Sequence, residues 1–136
     1  MKNWWLAILP CFILSMTISL SGFATAIDTV ENYCSGKNIE ISTMQLNEFF
    51  VKEGLQPIDF SKTKKHKELR QILFNLEQQC LNGFMDKTHN LANRTIELKK
   101  QYNAMRGHAS GRLDRIKTHA FKVSMEAYER GYNLTR

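Results

Sequence analysis

Cysteine is the residue type in this 136-residue chain with the clearest capacity for chemistry. Cys11 lies in an apolar stretch near the start, while Cys34 and Cys80 are widely separated in the remainder. The sequence has no C-x-x-C motif, although a redox pair normally keeps its two thiols close together. In an oxidising compartment, this spacing favours a structural disulfide between Cys34 and Cys80 over a redox couple or a metal site.

The first 26 residues predict such a compartment. A cationic start is followed by the apolar run WWLAILPCFILSMTISLSGF, and Ala24 and Ala26 then form the A-x-A pattern of a cleavage site. We expect residues 1–26 to be a cleaved signal peptide and residues 27–136 to form one exported domain, periplasmic or secreted. The same run is long enough to cross a bilayer, so an uncleaved anchor is the alternative, and only then is a membrane a partner.

Cleavage changes both the cysteine count and the charge. Cys11 leaves with the leader, so Cys34 and Cys80 remain as a single pair. Without Lys2, the 19 basic residues of the chain become 18 against 13 acidic ones, a net charge of +5. This moderate surplus favours acidic partners, although it also serves solubility. Nucleic acid is not expected as a partner of an exported chain.

The histidines lack the spacing of a metal site. A helix-borne metal pair places two histidines four residues apart, often beside a carboxylate. None of the four lies within four residues of another: His66, His89, His108 and His119. Nucleophilic catalysis also needs an activated Ser, Cys or Thr beside a base, and the chain has no G-x-S-x-G motif. We therefore expect solvated histidines, no metal or other cofactor, and no enzymatic activity.

The elements that position these residues are predicted to be helical. Glycine and proline are scarce, and alternation of apolar and polar residues is confined to residues 38–42, too few for a sheet. Long stretches instead carry apolar residues at the helical period. We predict an all-α fold, a small helical bundle or hairpin of about four helices with one disulfide.

Local signals predict where the first two helices begin and end. A short helix is expected at residues 28–34, ended by Gly36 at a positive φ. In the next helix, Ser42 and Gln45 have the spacing of a capping box at the start. Gly54 supplies the C-terminal stop.

The helical pattern then continues almost unbroken over residues 62–106. A single helix of that length would be a rod of about 65 Å, too long for a domain with a radius of gyration of about 13 Å. We expect a break between Gly83 and Asn90. After a turn at residues 106–111, a last helix over residues 112–132 is expected to pack antiparallel to the preceding one.

Two basic clusters are candidate binding surfaces. Positive charge at the start of a helix opposes its dipole and costs a few tenths of a kcal/mol, which indicates a use. The first cluster comprises Lys62, Lys64, Lys65 and Lys67, and the second includes Arg112 and Arg115. Both suit an acidic protein partner, the first cluster also suits anionic lipid, and the alternative is a solvated charged face.

The last helix has a wide apolar face. Phe121 and Tyr128 lie beside a stripe that comprises Leu113, Ile116, Ala120, Val123 and Ala127. A small helical domain has limited capacity to bury such a face. Phe121 and Tyr128 are therefore candidate contacts for a partner or for a homodimer seam, and ordinary core packing is the alternative.

These features predict a small exported helical protein that binds a partner protein stoichiometrically, as an inhibitor, immunity or adaptor factor does. A periplasmic chaperone or stress protein that works through exposed apolar surface is the alternative. With its leader, two cysteines and helices, the chain resembles periplasmic immunity proteins and periplasmic acid-stress chaperones in format. The resemblance implies export and an all-helical fold, and it assigns no role to any residue.

The cysteine pairing has a direct test. Mass spectrometry of the exported protein under non-reducing conditions is expected to detect Cys34 and Cys80 in one crosslinked peptide pair. The chain-entropy model gives a stabilisation of about 3–4 kcal/mol for a loop of this length, so reduction should lower the free energy of unfolding by a similar amount. Two free thiols would contradict the pairing.

Overall fold

The computed structural model describes residues 29–62 and 66–134, and every regular element within them is helical. The predicted all-α fold is therefore confirmed. The helices are α1 at residues 29–35, α2 at Lys37–Lys52, α3 at Lys67–Thr88, α4 at Thr95–His108 and α5 at Gly111–Tyr132, with a 3₁₀ turn at Phe60–Lys62. The predicted leader lies outside the described residues. None of the described helices has the length and apolar character needed to cross a membrane.

α5 is the central helix of the bundle. No residue from Phe121 to Tyr132 is exposed, because neighbouring helices surround this half of α5. α2 runs antiparallel to α5 over its whole length. The contacts that establish this direction are Arg130 with Asn38, Glu126 with Gln45, His119 with Phe49, and Arg115 with Glu53.

Two apolar clusters form the core. The first joins α2, α3 and α5 through Leu46, Leu76, Val123 and Ala127. The second surrounds the disulfide and consists of Val30, Cys34, Cys80 and Phe84. Both clusters bury a stripe of α3 residues at helical spacing, as the periodicity of the sequence predicts.

The predicted disulfide between Cys34 and Cys80 is present. Both cysteines are fully buried, and their Cα atoms are 5.6 Å apart, within the usual range for a disulfide. The bond connects α1 to the middle of α3. A short helix with few core residues of its own is thereby held against the bundle.

α3 and α5 cross in backbone contact at Gly83 and Gly131. A Cβ atom on Gly83 would overlap the carbonyl oxygen of Tyr128, and one on Gly131 would overlap that of Cys80. Only glycine allows two helices to approach this closely. Gly83 therefore lies inside a continuous helix, where its missing side chain lets the backbone of α5 approach closely.

The expected break in the long helical segment is confirmed, and it follows Thr88. α3 ends there, and Asn90 adopts a positive φ of 56° before α4 begins. The α4–α5 antiparallel hairpin is also confirmed, since the backbone N–H of Arg94, before α4, donates to the hydroxyl of Tyr128 near the end of α5 (3.3 Å). α4 has no buried residue, so it depends on α5 for its place in the fold.

Two predicted helix signals at the start of α2 are wrong. Gly36 has a φ of −108°, and α2 begins directly after it at Lys37. Ser42 consequently lies inside the helix, fully buried, and caps nothing. The predicted stop at Gly54 is correct, since its φ is 75° and the N–H of Leu55 donates to the carbonyl of Phe50 (2.9 Å).

A polar network in the interior explains why Ser42 turns inward. Asn38 is fully buried, and its Nδ2 donates to the carbonyls of Cys34 (3.1 Å) and Leu76 (3.2 Å). Arg130 from α5 donates to Asn38 Oδ1 through Nε (3.1 Å) and Nη2 (3.0 Å), and to Ser42 Oγ (2.7 Å). Buried polar groups require such partners, so the network fixes the rotation of α2 and α5 relative to each other.

The glycine crossing generates a stability test. Gly83→Ala and Gly131→Ala are each expected to lower the free energy of unfolding by about 3 kcal/mol, because the new methyl group meets backbone atoms that cannot move aside. Urea denaturation followed by circular dichroism measures the change. Gly107→Ala is the control, since no atom lies within 4 Å of its added methyl group, and it should stabilise α4 slightly. Equal stability of all three variants would contradict the crossing.

Candidate partner-binding surface

An ion pair joins the C-terminal end of α2 to the start of α5. Arg115 donates to Glu53 through Nη2 (2.7 Å to Oε2) and Nε (3.1 Å to Oε1). The hydrogen bond from Arg115 is the main reason that the pKa of Glu53 lies below its ordinary value. Arg115, predicted as a partner contact, is therefore already engaged within the fold.

The start of α3 lies toward the same end of the bundle. The Cys34–Cys80 disulfide and the hydrogen bond from Asn38 to Leu76 show that α3 runs antiparallel to α1 and α2. The first turn of α3, with Lys67, therefore lies beside the second half of α2. Two basic clusters that are distant in the sequence are brought toward one end, which we call the basic end.

The other basic residues predicted as partner contacts are exposed wherever the structure describes them. Lys62 is exposed and lies 3.7 Å from a carboxylate oxygen of Asp59. Lys67 and Arg112 are exposed. Lys64 and Lys65 lie outside the described residues. Exposed cations are thus present in both clusters at the basic end.

Exposed apolar side chains accompany these cations. Val51 is 58% exposed and Leu113 is 63% exposed. They lie two residues from Glu53 and Arg115, respectively, so the ion pair brings them to the same end. Leu113 belongs to the wide apolar face of α5, for which partner contact and core packing were the two alternatives, and the buried residues of this helix begin only at Thr118. Val51 was not singled out from the sequence, because an apolar residue near the end of a helix carries no signal of where the core ends.

Tyr128 is corrected as a candidate partner contact. Its side chain is fully buried, and its hydroxyl donates to Asp86 Oδ2 (2.7 Å). The guanidinium of Arg94 lies over its ring, 5.1 Å from the centroid, and forms an ion pair with Asp86 (2.9 Å). Tyr128 therefore acts in the core, where it connects α3, α5 and the segment before α4. Phe121 is half-buried.

A groove lies between α2 and α4, with α5 as its floor. Its volume is about 440 Å³, and its lining residues are Gln45, Glu48, Phe49, Lys52, Tyr102, His119, Lys122 and Glu126. Glu126 accepts a hydrogen bond from Gln45 Nε2 (2.8 Å) and lies 3.8 Å from Lys122 Nζ. Opposite charges on the floor of the groove are thus paired with each other.

His119 differs from the predicted solvated histidines. Its ring stacks on Phe49 with centroids 4.1 Å apart, and its Nε2 lies 3.3 Å from the carbonyl oxygen of Gln45. His66, His89 and His108 are exposed, as expected. Within residues 29–62 and 66–134, no three His, Cys, Asp or Glu side chains converge in a way that could hold a metal ion.

No family model matches the chain, and no curated protein or solved structure matches it either.

The environment of His119 predicts a loss of stability in mild acid. Burial lowers the pKa of His119 below its ordinary value of 6.5, because the charged ring loses hydration. The unfolded chain then takes up this proton at a higher pH than the folded chain. The stabilisation that depends on neutral His119 is therefore fully present above about pH 6.5. It is lost as the pH falls toward the lower pKa that His119 has in the folded protein.

Two variants check this prediction. His119→Phe retains an aromatic ring against Phe49 and cannot be protonated, so its stability should decline less between about pH 7 and pH 5.5. The exposed control His108→Gln should keep the slope of the unmodified protein. Chemical denaturation at each pH measures the slope, and equal slopes for all three proteins would show that other groups carry the pH dependence.

Proposed function

We propose that this chain is an exported binding factor that occupies one acidic partner protein stoichiometrically, as an inhibitor, immunity or adaptor factor does. The proposal rests on the position of two basic clusters and two exposed apolar residues toward the same end of the bundle. Exposed apolar anchors close to exposed cations suit the capture of an acidic protein.

The apolar residues would supply affinity, and the cations would supply orientation and speed. Val51 and Leu113 are exposed enough to enter pockets on a partner, where the removal of water stabilises the complex. The exposed Lys67 and Arg112 would accelerate association with an acidic surface, by a factor that falls as salt screens the charges.

The packing beneath the basic end favours a rigid binding surface. The Glu53–Arg115 ion pair and the hydrogen bond from Leu55 to Phe50 at the end of α2 hold the two helix ends in place before any partner arrives. A surface that is ordered in advance loses less conformational entropy on binding. The leader pattern and the buried disulfide support an exported, oxidising location for this encounter.

A second candidate function rests on a different observation. Exposed apolar side chains occur on several helices, among them Met44 (55%) on α2, Phe74 (55%) on α3 and Ile96 (73%) on α4. Dispersed apolar contacts suit a periplasmic chaperone or stress protein that binds many unfolded clients weakly. The two candidates differ in the number of partners and in their dependence on charge.

Photo-crosslinking from position 113 distinguishes the two candidates. A photoreactive phenylalanine analogue replaces Leu113 in cells, and the crosslinked products are identified by mass spectrometry. One adduct of fixed mass, with an acidic protein, is expected for a stoichiometric binding factor. A broad distribution of adducts would favour the chaperone.

Charge reversal then tests the basic end with the purified partner. The double variant Lys67→Glu/Arg112→Glu should weaken binding at least tenfold at low salt, because attraction to the acidic surface becomes repulsion. Lys99→Glu/Lys100→Glu makes the same change in net charge on an exposed face of α4 and should alter affinity less than threefold. An equal loss of affinity in both variants would show that only the net charge of the chain matters, and it would contradict a role for the basic end.

A further inference from the structure

Arg130 carries a charge that no nearby carboxylate neutralises. Its half-buried guanidinium donates through Nε and Nη2 to two uncharged acceptors, Asn38 Oδ1 (3.1 and 3.0 Å) and Ser42 Oγ (2.7 Å). Within the described residues, no Asp or Glu oxygen lies within 4.0 Å of it. Burial is the main reason that the pKa of Arg130 lies below its ordinary value. A cation that loses water without gaining a close anion shows this shift.

The remaining guanidinium nitrogen of Arg130 faces a depression in the surface. Nη1 makes no hydrogen bond within the part of the chain that the structure describes, and it is not buried. It is therefore accessible from the depression that Arg130 lines, which has a volume of about 500 Å³. We call this feature the Arg130 depression. Its lining residues are Tyr33, Glu126, Glu129, Arg130, Asn133 and Leu134.

The Arg130 depression is remote from the basic end. Arg130 bonds to Asn38 at the start of α2, whereas Arg115 bonds to Glu53 just beyond the end of that helix. The two places are thus separated by the length of α2, about 22 Å. The volume of the depression is typical of sites for small molecules.

Glu129 adds an opposite charge to the Arg130 depression. Glu126, the other acidic residue of the lining, is engaged by Gln45 Nε2 (2.8 Å) and lies 3.8 Å from Lys122 Nζ. Glu129 is half-buried and forms no ion pair within 4.0 Å among the described residues. Arg130 and Glu129 are adjacent in the sequence, yet they leave each other unpaired at short range. The depression therefore offers a ligand one cation and one anion.

Part of the lining is apolar. Tyr33 and Leu134 are half-buried and pack against the cluster that surrounds the Cys34–Cys80 disulfide. Because the disulfide holds α1 against the bundle, Tyr33 is held in place on the α1 side of the depression. Apolar surface beside a few polar groups is the usual composition of a small-molecule site.

We propose that the Arg130 depression binds a small zwitterion with an apolar side chain, such as a free apolar amino acid or a dipeptide. The carboxylate of the ligand accepts hydrogen bonds from Arg130 Nη1, and its ammonium group pairs with Glu129. Its side chain lies against Tyr33 and Leu134. Arginine suits the first of these roles, because its planar array of donors matches the oxygens of a carboxylate.

The lining favours a ligand that carries both charges. A simple anion would be attracted by Arg130 but repelled by Glu129, and a simple cation would experience the reverse. A zwitterion places an opposite charge beside each group, so neither charge of the depression is left without a partner when water is displaced. The site shares no residue with the basic end, so this proposal and the proposed function can fail independently.

Nuclear magnetic resonance of the ¹⁵N-labelled full chain at neutral pH tests the site with leucine as the probe. Saturable shifts are expected for the amide signals of Tyr33 and Asn133 and for the side-chain signal of Arg130, with a Kd of about 1 mM. Leucinamide lacks the carboxylate and N-acetylleucine lacks the ammonium group, so each should bind at least tenfold more weakly. Leucyl-leucine, titrated in the same way, shows whether the charge spacing of a free amino acid or of a dipeptide fits better.

A variant then tests the anionic side of the depression. Glu129→Gln keeps the shape of the side chain and removes its charge, so leucine should bind about tenfold more weakly, no better than N-acetylleucine. Glu68→Gln makes the same change on an exposed side chain at the start of α3 and should alter the Kd less than twofold. Arg130 is left unchanged, because its bonds to Asn38 and Ser42 hold α2 and α5 together. Circular dichroism verifies the fold of each variant.

Three results would overturn the proposal. One is the absence of saturable shifts with both leucine and leucyl-leucine up to about 20 mM. Another is binding of leucinamide or N-acetylleucine as tight as that of leucine. The third is a Glu129→Gln protein that still prefers leucine to N-acetylleucine, or a Glu68→Gln protein that loses affinity to the same extent.

Discussion

The backbone contact between α3 and α5 is the constraint on which the rest of the structure depends. At Gly83 and Gly131 each helix presents bare backbone to the other, so their side chains on either side of the crossing must interdigitate in one way. Cys80 lies at the crossing, and its disulfide brings α1 to the same place. Because α3 is held in both position and rotation, the crossing decides which of its faces is buried and which is exposed.

The cationic side chains divide into two groups in this fold. Some stabilise it by hydrogen bonds to other segments of the chain: Arg94, Arg115 and Arg130. Others, such as Lys67 and Arg112, are exposed at the basic end. The net charge of the chain alone cannot distinguish these groups. Their hydrogen-bond partners can, because each arginine of the first group donates to an acceptor on another segment of the chain, even though the side chains of Arg94 and Arg115 remain about half exposed.

Prediction from the sequence succeeded where a local signal decides the structure. The stop at Gly54 and the extent of α5 follow from turn chemistry and helical periodicity, which depend on neighbouring residues. Prediction failed at Ser42 and Tyr128, because the sequence around each is typical of an exposed residue. Ser42 has the spacing of a helix cap, and Tyr128 has the composition of a binding surface, yet both are buried by residues that are distant in the sequence.

The sequence by itself determined the helical class, the pairing of Cys34 with Cys80 and the break between α3 and α4. Each follows from composition, cysteine count or hydrophobic period, and none requires knowledge of how helices pack. The tertiary structure alone decided that α5 is central, that Gly83 admits another helix and that two basic clusters share one end. These features depend on contacts between residues far apart in the chain. Hydrophobic periodicity in a single sequence does not reveal such contacts.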